Sequence, residues 1–473
     1  MGITKYNNIL IFMVVLFFIP LFMLNSDLWD GVIIAHAFES ENRDIYWNWF
    51  SESGWFLTPL FYDVFYYIGR DYFPFSLHIL FLFSHLFSIR QVRVLSREHF
   101  NFSDSSSLIC CCFFALNPIW NIYFSSVFLM HSITLALALF CLNKMLQFKL
   151  SSFVLCSLLS FVTFQQASMP PLIFSIIIFM LFMKFEPRKS KYAAAYFVCA
   201  IGYFTLTSYL FPAHGLYAGY NNISLTNLFK SHLYSSYLDY IVKVYPAVLL
   251  LLGIVFVKSK DQRKCVFAFM MLIVMNAIPF ILVGKTTAES HLDIVGGWNQ
   301  RQSITITVIV AIIFGYLWQV SDSFSKRVWN QVAYVSIICS LVFVTYRYYL
   351  STEVKVKSIA LKTEMVELFK AYKSKLEACG IELEVSLPPE YRALSTYELN
   401  YIAWKSFNQR HYTYASDNGP GGIFKEPIYR DKYIQSITKP DCLNKVTYTS
   451  ETYRLAMHEI LLNDQYSYSL SIR

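Results

Sequence analysis

The chain has 473 residues, of which 56% are hydrophobic and 18% aromatic while only 15% are charged, and its mean hydropathy is +0.42. Soluble domains carry about 25% charged residues, so one globular core cannot bury this much apolar surface; the composition specifies a polytopic membrane protein and excludes a cytosolic enzyme, a disulfide-rich secreted scaffold and a disordered chain. The net charge of +8 comes from Lys and Arg in short loops between apolar runs, where it reports topology and gives no argument for nucleic acid.

In chain order, apolar runs of membrane-crossing length fall near 8–25, 74–90, 107–124, 127–143, 152–167, 170–185, 192–211, 241–257, 265–283, 302–320 and 329–349, which predicts eleven spans. The first begins after Lys5 and runs into Asn25-Ser26-Asp27 without a small-residue cleavage site, so it reads as a retained anchor. Residues 26–73 form a long first loop. Within it, Trp55–Gly69 is apolar but short and holds Pro59 and Asp63, which predicts an aromatic helix lying in the interface.

Alternate loops hold Arg90/Arg93/Arg97, Lys144/Lys149, Lys184/Arg188/Lys189/Lys191, Lys258/Lys260/Arg263/Lys264 and Lys326/Arg327. The intervening ones hold only Arg43, Arg70, Lys230, Lys285 and Arg301. This predicts a transmembrane domain over 1–349 in the cytoplasmic membrane, with its N-terminus inside and residues 350–473 exported as a small α/β domain. In that tail, Ile359, Val366, Phe369, Tyr372 and Leu376 recur at helical spacing up to Gly380. Ile381, Leu383, Val385 and Leu387 then alternate as a strand, Ser395 with Glu398 forms a capping box opening a further helix, and Asn418–Gly422 reads as a loop. No catalytic signature occurs in the tail; a cover over a membrane site, a protein contact and direct substrate binding all fit it. Eight of the ten cysteines lie in or beside apolar runs, where a thiol behaves as a small hydrophobe, whereas Cys379 and Cys442 stand in the polar tail, where an exported pair favours a disulfide over two unpaired thiols.

Ionisable groups concentrate at the predicted outer ends of the spans. Asp27, Asp30, Glu39, Glu41, Asp44, Glu52, Asp63 and Asp71 are interleaved with Trp29, Trp47, Trp49 and Trp55. Carboxylates beside flat rings suit a carbohydrate, whose hydroxyls they accept from and whose C–H face the rings cover; an interfacial aromatic belt accounts for the rings equally well. Asp27 and Asp30 lie closest to the first span, where a carboxylate is costly without a task or a partner. A second cluster, Lys285 to Asp293 and Trp298-Asn299-Gln300-Arg301, precedes the tenth span. Arg301 suits a phosphate at headgroup level, as its planar fork binds phosphate oxygens in pairs, and it also suits a helix anchor. His78, His85 and His131 lie within spans as expected neutral buried rings, while His214, His232 and His291 sit in outer loops. No zinc spacing is present. Asp27-x-x-Asp30 could hold a divalent cation, though two acids are too few to require one.

Asp27-Leu28-Trp29-Asp30-Gly31, the run to Glu39, and Ser53-Gly54-Trp55-Phe56-Leu57-Thr58-Pro59-Leu60 resemble the first exported loop of GT-C class membrane glycosyltransferases. With Phe164-Gln165-Gln166, the chain is most similar to serotype-converting O-antigen glucosyltransferases; Gly31 stands where many members place a second acid. The resemblance implies transfer of a sugar from a polyprenyl-phosphate donor to a cell-surface glycan on the outer face of the cytoplasmic membrane. Asp30 or Asp27 would be the catalytic base, and substrate contacts would come from Arg301, Lys285, His291, Trp298, Trp55, Glu39 and Gln166. A polysaccharide polymerase or ligase would have more basic outer loops. A lipid-linked glycan transporter would have internal repeats and mid-membrane charges.

Overall fold

A computed structural model describes residues 2–166, 168–184, 187–219, 222–287, 298–321, 327–376, 380–386, 396–407, 413–415, 443–462 and 468–472. The chain is a helical membrane protein. Helix α1 (Gly2–Leu24) is followed by three short helices, α2 (Gly31–Glu39), α3 (Asp44–Glu52) and α4 (Thr58–Gly69). The bundle continues through α5 (Phe75–Val94), α6 (Asp104–Ala115), α7 (Leu129–Met145), α8 (Leu150–Thr163), α9 (Met169–Lys184), α10 (Ser190–Leu210), α11 (Ser231–Val244), α12 (Val248–Lys258), α13 (Arg263–Leu282), α14 (Ile304–Ser321) and α15 (Arg327–Ala371). At 12 residues α4 is too short to cross the hydrocarbon layer, and Asp63 on it accepts hydrogen bonds from Tyr46 Oη (2.5 Å) and Trp47 Nε1 (3.0 Å).

Among the described residues, six helices are long and apolar enough to cross a membrane, and eight if each of two bent pairs counts as one span. That is fewer than the eleven expected, and the differences have local causes. Two expected spans are broken before proline, which has no amide hydrogen and pushes its predecessor out of the helical region. Asn117 is extended ahead of Pro118, bending α6 from the 3-10 turn Pro118–Phe124 by 44°. Tyr245 leaves the helix ahead of Pro246, setting α11 at 92° to α12. The other three, Asn8–Leu24, α8 and α9, are apolar but shorter.

Polar side chains tie the bundle together. Asn143 Nδ2 donates to Gln91 Oε1 (3.0 Å), Asn276 Nδ2 to Ser175 Oγ (2.9 Å) and Thr352 Oγ1 to Asn121 Oδ1 (2.9 Å). Phe113 on α6 stacks on Phe314 on α14 at 3.7 Å. The cation-bearing loops meet at one end, where Lys264 Nζ donates to Phe182 O (3.0 Å) and Lys189 and Lys258 cover the rings of Phe148 and Trp329. The described cysteines are free, five of them buried.

The 45 residues of α15 span about 68 Å, more than twice the roughly 30 Å hydrocarbon layer. The expected domain boundary at 349/350 therefore falls inside one continuous helix, whose second half buries Lys355, Lys357, Lys362 and Glu364. Beyond it come α16 (Lys373–Leu376), β1 (Gly380–Ser386), α17 (Thr396–Phe407), β2 (Thr413–Ala415), β3 (Leu443–Ser450), α18 (Met457–Leu462) and β4 (Tyr468–Ile472). The strand order is β2-β1-β3-β4, with β1 parallel to both neighbours and β4 antiparallel to β3. Gly380, expected to end a helix, opens β1 instead. Cys379, Cys442, Leu387, Ser395 and the 418–422 loop lie outside the described residues.

Candidate functional site

The loop from Asn25 to Asp30 turns sharply, with Asn25 (φ 40°) and Trp29 (φ 52°) both left-handed, a conformation uncommon for residues other than glycine. Asp27 holds it from beneath. Its Oδ1 accepts the amides of Leu28 (3.0 Å) and Ser126 (2.9 Å), and the side chain is 2% exposed. Gly31 closes over it: a Cβ there would lie 1.7 Å from Asp27 Oδ1 and 2.6 Å from Ser125 Oγ, so any side chain at this position would displace the Asp27 carboxylate. The Gly31 amide donates to Ser125 Oγ (3.0 Å). Burial pushes the Asp27 carboxyl up to about 6 against the lowering effect of these bonds.

Asp30 sits at the N-cap of α2, partly exposed, and makes no capping bond with its side chain. Beside it the Trp29 ring stacks on Phe128 (5.8 Å, 11°), and the Arg301 guanidinium lies over both rings at 5.1 and 6.0 Å. Arg301 is half-buried in the 3-10 turn Trp298–Ser303 that leads into α14. The structure thus brings the two distant polar clusters of the sequence to one place. Phe128 also meets His131 (5.1 Å), which faces Trp55 (6.4 Å). Lys285, after α13, is half-buried and close enough to Arg301 to feel its charge; burial first, and Arg301 second, lower its ammonium to about 7.

Trp55 follows Gly54, whose left-handed φ of 78° and 2.9 Å separation between a built Cβ and Phe211 O both call for glycine. That approach lets Phe56 stack on Phe211 at 4.3 Å and Trp55 on Phe50 at 6.1 Å. Gln165 ties this segment down, accepting the Leu57 amide (3.1 Å) and donating to Tyr203 Oη. Gln166 is buried beside it, and its Nε2 has no hydrogen-bond partner among the described residues. His291 lies outside the described residues, and Trp298 opens the turn carrying Arg301.

Glu39 stands one length of α2, about 13 Å, from Asp30. Its Oε1 accepts from Tyr401 Oη (2.8 Å) and Lys405 Nζ (3.0 Å), so it anchors α17. Sequence reasoning missed the partners that the tail supplies to the loop: the Trp29 amide donates to Glu398 Oε1 (2.8 Å) and Lys362 Nζ to the Asp27 carbonyl. Glu398, which the sequence pairs with Ser395 in a capping-box pattern, turns its Oε1 to the Trp29 amide. Among the described residues no three His, Cys, Asp or Glu side chains gather as a metal site.

No family model matches the chain, and no curated protein matches it. The site consists of an acid at a helix N-terminus, a stacked aromatic pair, and two cations converging where a span begins.

Proposed function

We propose that the chain is a membrane glycosyltransferase that moves a hexosyl group, with glucosyl the first candidate, from a polyprenyl-phosphate donor to a surface glycan. Asp30 takes the proton of an acceptor hydroxyl, the oxygen attacks the anomeric carbon, and the lipid phosphate leaves toward Arg301 and Lys285 as negative charge develops on it. Trp29, Phe128 and Trp55 offer faces for the sugar. The observation that supports this reading is the Arg301 guanidinium lying on the ring of Trp29, the residue next to Asp30: a general base needs a phosphate-binding cation nearby for displacement at a sugar-phosphate carbon. Asp27, buried and bonded to two amides, is assigned to the fold of the loop.

The same proposal takes α1, α5, the α6 pair, α7, α8, α9, α10, the α11–α12 pair, α13, α14 and the first half of α15 as eleven crossings, with the site and a small α/β tail exported. The gathering of cation-bearing loops at one end of the bundle supports that orientation. Incubating membranes containing the protein with polyprenyl-phosphate sugars and a lipid-linked glycan should release polyprenyl phosphate and lengthen the glycan by one hexose. Absence of transfer from every polyprenyl-phosphate hexose tried, with folded protein present, would refute the reading.

A further inference from the structure

Docking of the tail on α2 is already secured by apolar and edge contacts. Val32, Ala35 and Tyr401 form a buried cluster, and His36 meets the Trp404 ring at 4.3 Å. Yet two ionisable side chains are also buried at this junction, Lys362 at 3% and Glu398 at 2% exposure, and burying charge is unfavourable unless it is paired. Both are directed at main-chain groups of one turn: Glu398 Oε1 takes the Trp29 amide and Lys362 Nζ the Asp27 carbonyl. Burial lowers the Lys362 ammonium to about 8, partly offset by the carboxylates of Glu398, Asp27 and Glu39 with Lys405 opposing them, and the ammonium lies over the Tyr401 ring at 5.6 Å. The turn they grip contains the left-handed Trp29 and ends at Asp30.

We propose that Lys362 and Glu398 are positioning residues that fix the Trp29 turn and thereby the direction of Asp30, so that the tail completes the reacting centre. A left-handed tryptophan has easier alternatives, and releasing its amide from Glu398 would let the turn relax and swing the carboxylate beside it. This inference rests on the reading of Asp30 as the base, and the test separates the two.

Full-length Glu398→Ala, Glu398→Gln, Lys362→Met and wild type are compared for melting temperature, amide hydrogen exchange over residues 27–31, and kcat and donor KM in sugar transfer. Expected for Glu398→Ala are faster exchange in the loop and a kcat lower by about 10- to 100-fold, the size of effect that follows a small misplacement of reacting groups. Donor KM should stay within about twofold, because Arg301 and Lys285 are untouched. Glu398→Gln keeps the acceptor oxygen and should recover most of the rate, and Lys362→Met should follow Glu398→Ala. Wild-type kcat in Glu398→Ala, or lowered abundance with unchanged turnover per molecule, would overturn the proposal. If wild-type protein transfers no sugar, the reaction assignment fails, and exchange alone judges the tether: unaltered protection of 27–31 in both Glu398→Ala and Lys362→Met would overturn it as well.

Discussion

Asp27 and Asp30 are separated by two residues, and the fold gives them opposite situations. Asp27 faces inward under Gly31 with Oδ1 on two amides, whereas Asp30 stands partly exposed next to the ring that carries Arg301. Asp27→Asn retains the accepting oxygen, so turnover should remain of the same order as wild type; Asp30→Asn should lower it by about 10²–10⁴, the usual contribution of a general base. The reverse pattern, measured as turnover per folded molecule, would exchange their roles. Lys285 makes a second prediction. Its ammonium, brought down from 10.5 to about 7, is charged below that pH and neutral above it, and only the charged form attracts phosphate. Donor KM should therefore rise about tenfold as pH goes from 6 to 8.5, the loss of one charge-assisted bond, and the rise should vanish in Lys285→Arg. An unchanged pH profile in Lys285→Met would remove Lys285 from the site. The acids and Arg301 stand out in the sequence because a charge at a membrane boundary contrasts with apolar neighbours, and their gathering at one place is what the structure adds. Glu398 and Lys362 do not stand out, because a charge in polar sequence looks solvated until the fold buries it.

At the scale of elements, hydropathy located the apolar segments but not their continuity. Pro118 and Pro246 bend two of them, and α15 runs on past its apolar half because nothing in its sequence stops a helix before Ala371. Residue-by-residue hydropathy sees neither a bend nor a polar continuation. The short α4, by contrast, was legible from its length, Pro59 and Asp63. The tail strands bear on the remaining cysteines. Gly380 and Leu443 are register partners at the paired ends of parallel β1 and β3, and Cys379 and Cys442 immediately precede them in sequence. A disulfide between the two cysteines would close a loop of about 60 residues and stabilise the tail by roughly 4 kcal/mol on the chain-entropy model. Thiol labelling of the oxidised, denatured protein should leave both cysteines unmodified until reductant is added; labelling of either before reduction would exclude the bond.

The whole molecule is a helical bundle with cation-bearing loops gathered at one end and the Asp30–Arg301 cluster beneath the tail. Loop charge in the sequence predicts which end faces the cytoplasm, because it depends only on which segments alternate. Convergence of the first and ninth-to-tenth inter-span loops did not show there, since it depends on packing between helices distant in the chain. Orientation is checked with reporters active only outside the cytoplasm: one fused after Arg473 should be active and one placed in Ser259–Gln262 silent, and the opposite pair of results would place the site on the wrong face. The most direct test of the central claim is the rate of sugar transfer from a polyprenyl-phosphate donor by reconstituted protein, normalised to protein amount, for wild type, Arg301→Lys and Arg301→Ala. Arg301→Lys keeps the charge without the paired fork and should retain partial activity, while Arg301→Ala should lose at least about tenfold, as expected when one charge-assisted hydrogen bond to the departing phosphate is removed. Equal normalised rates for wild type and Arg301→Ala would contradict the account.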